Sequence, residues 1–127
     1  TCLVKNKPLE KVGIYKAVYN SLTGQNLPCS DIMQSPGLKT HIQKRHPSIV
    51  HQMYLIPRII ANPDYVGCDP TKPCSIELVK KLSEHFLVSV TLDTRNGYLF
   101  VSSFYDISKS KVERRLNSGR LKRIHQD

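Results

Sequence analysis

The sequence predicts an α+β fold, in which N-terminal helices pack on a twisted antiparallel sheet of about four strands and a basic helix follows near the C-terminus. Two patterns carry this prediction. Apolar residues in the first half of the chain recur at spacings of three and four, whereas residues 86–93 place apolar side chains at every even position. A chain of 127 residues with 39% hydrophobic residues suits one domain with one core.

The first predicted element is an amphipathic helix over residues 8–23. Its apolar residues share one face at helical spacing and are Leu9, Val12, Tyr15, Val18, Tyr19 and Leu22. Gly24 is placed to end the helix as a C-cap. The following connection, residues 25–34, is expected to hold a short extended piece at Ile32 and Met33.

A second, shorter helix is predicted between Ser35 and Pro47. Ser35 can cap its N-terminus, Pro36 fits its first turn, and Pro47 disfavours helical geometry at the residue before it. Leu38 and Ile42 fall on one stripe of this helix, so we expect them to pack into the core.

The border of that stripe combines a histidine with cations. His41 lies beside it, with Lys44 and Arg45 three and four positions on. His46 projects elsewhere if the helix continues, or is free to turn back if the helix stops before Pro47. Imidazole exchanges protons near neutral pH, and Lys and Arg stabilise phosphate charge, so the motif indicates chemistry on a phosphodiester. The plainer interpretation is a solvated basic helix.

A further helix is expected to begin at Ser48 and to kink or restart at Pro57, before a short strand over residues 64–66. Three strands are then predicted over residues 75–82, 86–93 and 98–105. The dipeptide Asn96-Gly97 predicts a tight hairpin between the last two. We expect Tyr98, Phe100 and Phe104 to be packing residues.

A two-residue hairpin loop would set the register of these strands. Leu92 would then face Val101, and Val90 would face Ser103. A one-residue bulge would exchange the faces on one strand, so the choice between Ser102 and Ser103 as a site residue stays open.

The last predicted helix begins after Ser108 and ends near Ser118-Gly119. The tail over residues 109–123 is rich in cations and carries one acid, Glu113, so pairing within the helix does not explain its charge. Its cations are Lys109, Lys111, Arg114, Arg115, Arg120, Lys122 and Arg123. The whole chain has 19 Lys and Arg against 10 Asp and Glu, a net charge of +9. This balance favours a polyanionic partner, with nucleic acid as the first candidate.

Other classes of protein receive less support. No apolar run reaches the length of a membrane-spanning helix, which is about 18 residues. The spacing of the four cysteines, Cys2, Cys29, Cys68 and Cys74, matches no zinc pattern, so we expect no metal site and no cofactor. Free thiols are the default expectation, with a Cys68–Cys74 bridge as the alternative.

Five stretches, in consistent order, resemble one known family. They are Ser-Pro-Gly-Leu-x-x-His-Ile-x-Lys-Arg-His-Pro (35–47), Ile-Pro-x-Ile-Ile-x-Asn-Pro-Asp-Tyr-Val-Gly (56–67), Ser-Ile-Glu-Leu-Val-Lys (75–80), Val-Ser-Ser-Phe-Tyr-Asp-Ile (101–107) and Arg-Arg-Leu-x-Ser-Gly-Arg-Leu (114–121). Together they resemble phage-type barnase/EndoU/colicin/RelE-like nuclease domains. The resemblance divides the single domain, residues 1–127, into an N-terminal helical extension (1–31) and a nuclease core (32–127).

The resemblance implies a small metal-independent ribonuclease that leaves a 2′,3′-cyclic phosphate after attack by the RNA 2′-OH. Many such domains are C-terminal toxin domains of colicins or of contact-dependent growth inhibition proteins. They typically cleave tRNA and are neutralised by an immunity protein, which we expect to be acidic here. The domain would be exported as part of a larger toxin and act in the cytoplasm of a target bacterium. The need for a host activating factor stays open, and a non-catalytic nucleic-acid-binding module is the alternative function.

Within that mechanism, His41 is the first expected general acid or base and His46 the alternate. Lys44 would stabilise the phosphorane, supported by Arg45 or Arg115. Ser102 or Ser103 would hydrogen-bond the phosphate, and Tyr105 would position a base or donate a proton. The remaining cations expected to contact RNA are Lys39, Lys109, Lys111, Arg114 and Arg120.

Overall fold

The structure, a computed structural model, describes residues 9–124. Its centre is a seven-stranded sheet with the strand order β1-β2-β6-β5-β4-β3-β7. The strands are β1 (Glu10–Ile14), β2 (Asp31–Gln34), β3 (Tyr65–Gly67), β4 (Ser75–Lys81), β5 (His85–Asp93), β6 (Tyr98–Ile107) and β7 (Leu121–Arg123). The helices are α1 (Ala17–Thr23), α2 (Gly37–Arg45), α3 (Ile56–Ala61) and α4 (Lys109–Ser118), with a 3₁₀ helix (Pro47–Leu55) before α3.

The α+β class is confirmed, but the prediction of about four antiparallel strands is wrong. The sheet is mixed, because β2 pairs with β6 in parallel. Beyond the four predicted strands the sheet contains β1, β7 and β2, the last of which includes the extended piece expected at Ile32 and Met33; each has between three and five residues. Segments this short show little alternation, so pairing with neighbours rather than local pattern makes them strands.

The predicted N-terminal helix is correct only for residues 17–23. Residues 10–14 form β1 instead and pair antiparallel with β2. Gly13 explains part of the difference, since a Cβ at this position would overlap the side chain of Ile60. The expected cap is confirmed, because Gly24 adopts a left-handed φ of 76°. Pro8, the predicted start of the helix, and Cys2 lie outside the described residues.

One face of the sheet is covered by α2, the 3₁₀ helix and α3, and we call it the helical face. Leu38 and Ile42 of α2 are buried in its core, as predicted. Two expected caps are wrong, since neither Ser35 nor Ser48 caps a helix through its side chain. The segment after Pro47 is 3₁₀ rather than α-helical as far as Leu55. The sheet residues of this core include Phe86, Val88, Val90, Leu99, Val101 and Phe104.

The β5–β6 hairpin is confirmed, but its predicted register is wrong by two residues. Leu92 pairs with Leu99 and Val90 with Val101. The turn begins early because the Asp93 carboxylate accepts hydrogen bonds from the backbone N–H groups of Arg95 and Asn96, at 2.9 and 3.1 Å. The loop therefore holds residues 94–97, and the register then shifts at a bulge between Val90 and Ser89.

The bulge shifts the alternation of β6, so that even-numbered residues before it and odd-numbered residues after it point to the same side of the sheet. Before it, Tyr98 and Phe100 lie opposite Asp93 and Thr91; after it, Ser103 and Tyr105 lie opposite Ser89 and Leu87. Opposite residues share a face, and all four β5 partners are odd-numbered. The four β6 residues therefore point to the side away from the helical face, whereas Phe104 is fully buried in the core.

This second side carries a smaller core at one end, where Val112 of α4 packs on Val79, Leu87 and Leu121. The prediction of α4 is confirmed, and the Ser108 hydroxyl caps it by accepting a hydrogen bond from the N–H of Lys111. The rest of this side is a half-buried surface that we call the open face. Its residues are Ser89, Thr91, Tyr98, Phe100, Ser103 and Tyr105.

Two further features concern sequence expectations. Between residues 9 and 124, no helix has the length and apolar character needed to cross a membrane. Cys29, Cys68 and Cys74 are free thiols.

Candidate active site

A buried carboxylate marks the boundary between α4 and the open face. Glu77 of β4 is only 4% exposed, yet it lies in an otherwise apolar stretch of strand. Arg120 donates to it through Nε at 3.0 Å and through an Nη at 2.8 Å, which is a two-point contact. Arg115 of α4 approaches the same carboxylate at 3.5 Å. One acid therefore fixes two guanidinium groups at the edge of the open face.

Arg120 has a second acidic neighbour. Its guanidinium lies 3.5 Å from Asp69, whose carboxylate also accepts hydrogen bonds from Thr71. The Thr71 hydrogen bonds, with Arg120 nearby, hold the pKa of Asp69 below its usual value. Arg120 faces two carboxylates and donates two hydrogen bonds to Glu77, whereas Arg115 contacts Glu77 through one longer bond of 3.5 Å, so Arg115 is the less committed of the two arginines.

Sequence reasoning missed Glu77 and Asp69 as members of this cluster. The signal for Glu77 was a single acid between Ile76 and Leu78 within a buried strand. A carboxylate is rarely buried without a partner, so that position called for a cation from elsewhere in the chain. No pattern in the sequence near Glu77 identified Arg115 and Arg120 as the cations that pair with it.

Tyr105 and His46 form the second part of the cluster. Their rings stack with centroids 5.0 Å apart and planes 25° from parallel. His46 reaches this position because α2 ends at Arg45, and His46 itself has a non-helical φ of −140°. Of the two orientations left open from the sequence, the structure therefore shows the one in which His46 turns back.

Burial raises the pKa of the Tyr105 phenol, and the charge of Glu77 raises it further, whereas the charge and hydrogen bond of Arg115 lower it. The net direction is upward, so Tyr105 stays protonated at neutral pH. A protonated phenol beside a guanidinium donates hydrogen bonds, which suits a phosphate oxygen or a leaving group.

The hydroxyl groups of the two serines at the β6 bulge differ in their availability. Ser102, the bulged residue, accepts from the Thr91 hydroxyl at 2.9 Å and donates to the carbonyl of Ser89 at 3.3 Å. Ser103 faces Ser89 across the strands, and its hydroxyl has no hydrogen bond within the described part of the chain. Ser103 is therefore the freer donor, and Ser102 holds the strands together.

The other predicted site residues lie elsewhere. His41, Lys44, Lys39 and Arg45 are exposed on α2. Lys109, Lys111 and Arg114 are exposed on α4, the helix that borders the open face. The structure thus brings together His46, Tyr105, Ser103, Arg115 and Arg120. The roles of all these residues stay predictions.

As to a metal, residues 9–124 contain no group of three or more His, Cys, Asp or Glu side chains placed to hold an ion.

The family model described as phage-Barnase-EndoU-ColicinE5/D-RelE like nuclease3 matches residues 10–114. Comparisons with curated proteins and with solved structures gave no significant match. The family match covers most of the chain, runs from β1 into α4, and contains Glu77, His46 and Tyr105; it ends one residue before Arg115.

Proposed function

Since this chain belongs to the phage-Barnase-EndoU-ColicinE5/D-RelE like nuclease family and nucleic acid is therefore its substrate, we propose that it is an endoribonuclease that needs no metal. The observation that supports this proposal best is the His46–Tyr105 stack beside Arg115 and Glu77. An imidazole, a phenol and a cation held by Glu77 lie together at one end of the open face, and this combination supports the proposal.

The reaction we propose is transesterification within the RNA. The 2′-oxygen attacks the neighbouring phosphorus while the bond from phosphorus to the 5′-oxygen breaks, leaving a 2′,3′-cyclic phosphate and a 5′-hydroxyl. A base removes the proton of the 2′-OH, and an acid supplies one to the departing 5′-oxygen. The nucleophile belongs to the substrate itself, so the protein has to move protons and stabilise the charge on phosphorus.

In this mechanism His46 is the base that takes the proton of the 2′-OH, and the protonated Tyr105 phenol is the acid that supplies one to the departing 5′-oxygen. Arg115 stabilises the pentavalent phosphorane, and the Ser103 hydroxyl binds a non-bridging oxygen. Glu77 acts as a positioning residue that holds the arginines. Relative to the sequence-based preference for His41, we now prefer His46, because His41 is exposed on α2 while His46 contacts Tyr105.

The finer biological role rests on the family resemblance. We propose tRNA as the substrate and an antibacterial toxin as the role, with delivery in a larger exported protein and action in the cytoplasm of a target bacterium. An acidic immunity protein would match the net charge of +9, since opposite charges accelerate association. A host activating factor would be needed only if the purified chain is inactive.

The test compares two histidines that lie five positions apart. Purified chain is incubated with total bacterial RNA in EDTA, and the products are resolved on a denaturing gel and checked for cyclic phosphate ends. We expect His46→Ala to lower the cleavage rate by about 10² to 10⁴-fold, because it removes a proton-transfer group. His41→Ala is the matched control and should cleave nearly as well as the wild type.

Other outcomes would redirect the proposal. Loss of cleavage in His41→Ala alone would assign proton transfer to α2 instead. Cleavage of a DNA oligonucleotide of the same sequence would exclude the 2′-OH mechanism. Binding of RNA without cleavage, with or without cell extract, would favour the non-catalytic binding module. Discrete tRNA-sized fragments would support tRNA as the substrate.

A further inference from the structure

Three apolar side chains of the sheet lie outside both buried cores. Met33 of β2, Tyr98 and Phe100 are half-buried, and among the described residues neither hydrophobic cluster includes them. Phe86 and Phe104, by comparison, stack in the core with ring centroids 5.8 Å apart and are fully buried. Of the four aromatic residues of β6, Phe104 packs in the core, Tyr105 belongs to the candidate active site, and Tyr98 and Phe100 lie partly exposed outside both cores.

The two half-buried rings form a pair. Tyr98 and Phe100 have ring centroids 6.0 Å apart and planes tilted by 57°. Met33 pairs with Phe100 across the parallel β2–β6 ladder, so it extends the same apolar surface sideways. We call these three residues the aromatic platform.

The bulge at Ser102 joins this platform to the candidate active site. With unbroken alternation, Phe100 and Tyr105 would point to opposite faces of the sheet. The extra residue places Tyr98, Phe100, Ser103 and Tyr105 on the same face, as their odd-numbered partners on β5 show. Bulges often redirect side chains next to functional sites. The stretch from Tyr98 to Tyr105 is roughly 20 Å long at the usual strand rise, enough for more than one nucleotide.

From this geometry we propose that the aromatic platform binds unpaired bases of a single-stranded RNA segment whose scissile phosphate lies at Ser103, Tyr105 and His46. This inference rests on the proposed function and adds the form of the substrate. Every base has a π-face that stacks on an aromatic ring, and the strand's phosphates match the basic surface of the chain. Paired bases are already stacked inside a duplex, so double-stranded RNA cannot use the platform.

Binding and cleavage can be tested separately. A fluorescent 2′-O-methyl oligonucleotide lacks the attacking hydroxyl and therefore reports binding alone. We would measure its fluorescence anisotropy with the full chain, as a single strand and as a duplex. Phe100→Ala should weaken single-strand binding by about tenfold and leave duplex binding unchanged, and Tyr98→Ala should act in the same direction.

Two variants control for folding and for general loss of an aromatic ring. Tyr54 is 75% exposed on the 3₁₀ helix, so Tyr54→Ala removes a tyrosine outside the platform and should not change affinity. Phe100→Trp keeps a stacking ring and should retain single-strand binding. Thermal melts of each variant show whether it is folded.

Equal weakening of single-strand and duplex binding by Phe100→Ala would overturn the platform, and so would unchanged affinity for both. A different result would contradict the proposed function, namely that the wild-type chain does not cleave unmodified RNA. Loss of single-strand binding in Phe100→Ala from a chain that does not cleave RNA would support the platform while the nuclease mechanism fails.

Discussion

At the scale of single residues, Glu77 determines how the candidate site is held. It offers four lone-pair sites to Arg120 and Arg115 in a place from which water is largely excluded. Burying a carboxylate is costly unless it is paired, and breaking such a pair leaves the remaining charges buried without a partner. Glu77 is thus expected to matter for stability and for the position of Arg115 together.

We predict that Glu77→Gln lowers the free energy of unfolding by about 3 kcal/mol, because two partly buried guanidinium groups lose their counter-charge. Urea unfolding of the purified variants measures this change. Glu113→Gln is the matched control, since Glu113 is exposed on α4, and its effect should stay within about 0.5 kcal/mol. Equal midpoints for Glu77→Gln and the wild type would show that the pair contributes no net stability.

At the scale of elements, the short strands β3 and β7 connect the C-terminal residues to the sheet. Gly67 of β3 pairs with Leu121, and the N–H of Cys68 donates to the carbonyl of Arg120 at 3.3 Å. A Cβ on Gly67 would overlap that same carbonyl group. The close approach of these two strands therefore places the Arg120 side chain over Glu77.

Accordingly, Gly67→Ala should separate β3 from β7 and destabilise the fold by about 1–3 kcal/mol, as overpacking generally does. It should also lower cleavage, because Arg120 would shift relative to Glu77. Gly119→Ala provides the comparison: a left-handed φ of 85° gives it a strain of about 1 kcal/mol, but no atom lies within 4 Å of the added Cβ. A larger loss of stability in Gly119→Ala than in Gly67→Ala would contradict this explanation.

The bulge in β6 acts at the same scale. The bulge leaves Ser102 without a paired residue on β5, and it turns the side chains of Ser103 and Tyr105 to the face of the sheet that carries Phe100 and Tyr98. Ser102 compensates through its bonds to Thr91 and to the carbonyl of Ser89. A single inserted residue thus decides which side chains of β6 can meet a ligand.

At the scale of the whole molecule, the cations of the described residues lie on both sides of the sheet, in a chain whose net charge is +9. α4 carries cations next to the open face, whereas Arg58 is exposed on α3, which packs on the helical face. If RNA lies on the open face, the cations of α4 contact its phosphates and Arg58 does not, although every cation contributes to the net charge.

The salt dependence of binding separates these contributions. Removing one phosphate contact with a single strand reduces the slope of log affinity against log salt by about 0.7. We predict this reduction for Arg114→Ala and no reduction for Arg58→Ala, which loses the same charge from the opposite side. The measurement is anisotropy with the 2′-O-methyl oligonucleotide over a series of salt concentrations. Equal slopes in the two variants would indicate that net charge, rather than the open face, controls binding.

The sequence by itself determined the features that depend on near neighbours. The end of α2 before Pro47, the cap at Gly24, the β5–β6 hairpin and the basic helix α4 follow from backbone restrictions, alternation and local charge. The family was also recognisable from five short motifs, each made of consecutive residues, and its match to residues 10–114 confirms it.

Only the tertiary structure decided the features that join distant residues. β1 is a strand because it pairs with β2 and because Gly13 lies against Ile60, although its apolar spacing also fits a helix. The hairpin register depended on the Asp93 turn and on a bulge that no motif marks. The partners of Glu77 and the stack of His46 on Tyr105 join residues 38 to 59 positions apart. Such contacts depend on how the elements pack around one another, and patterns among residues close in the sequence do not determine that packing.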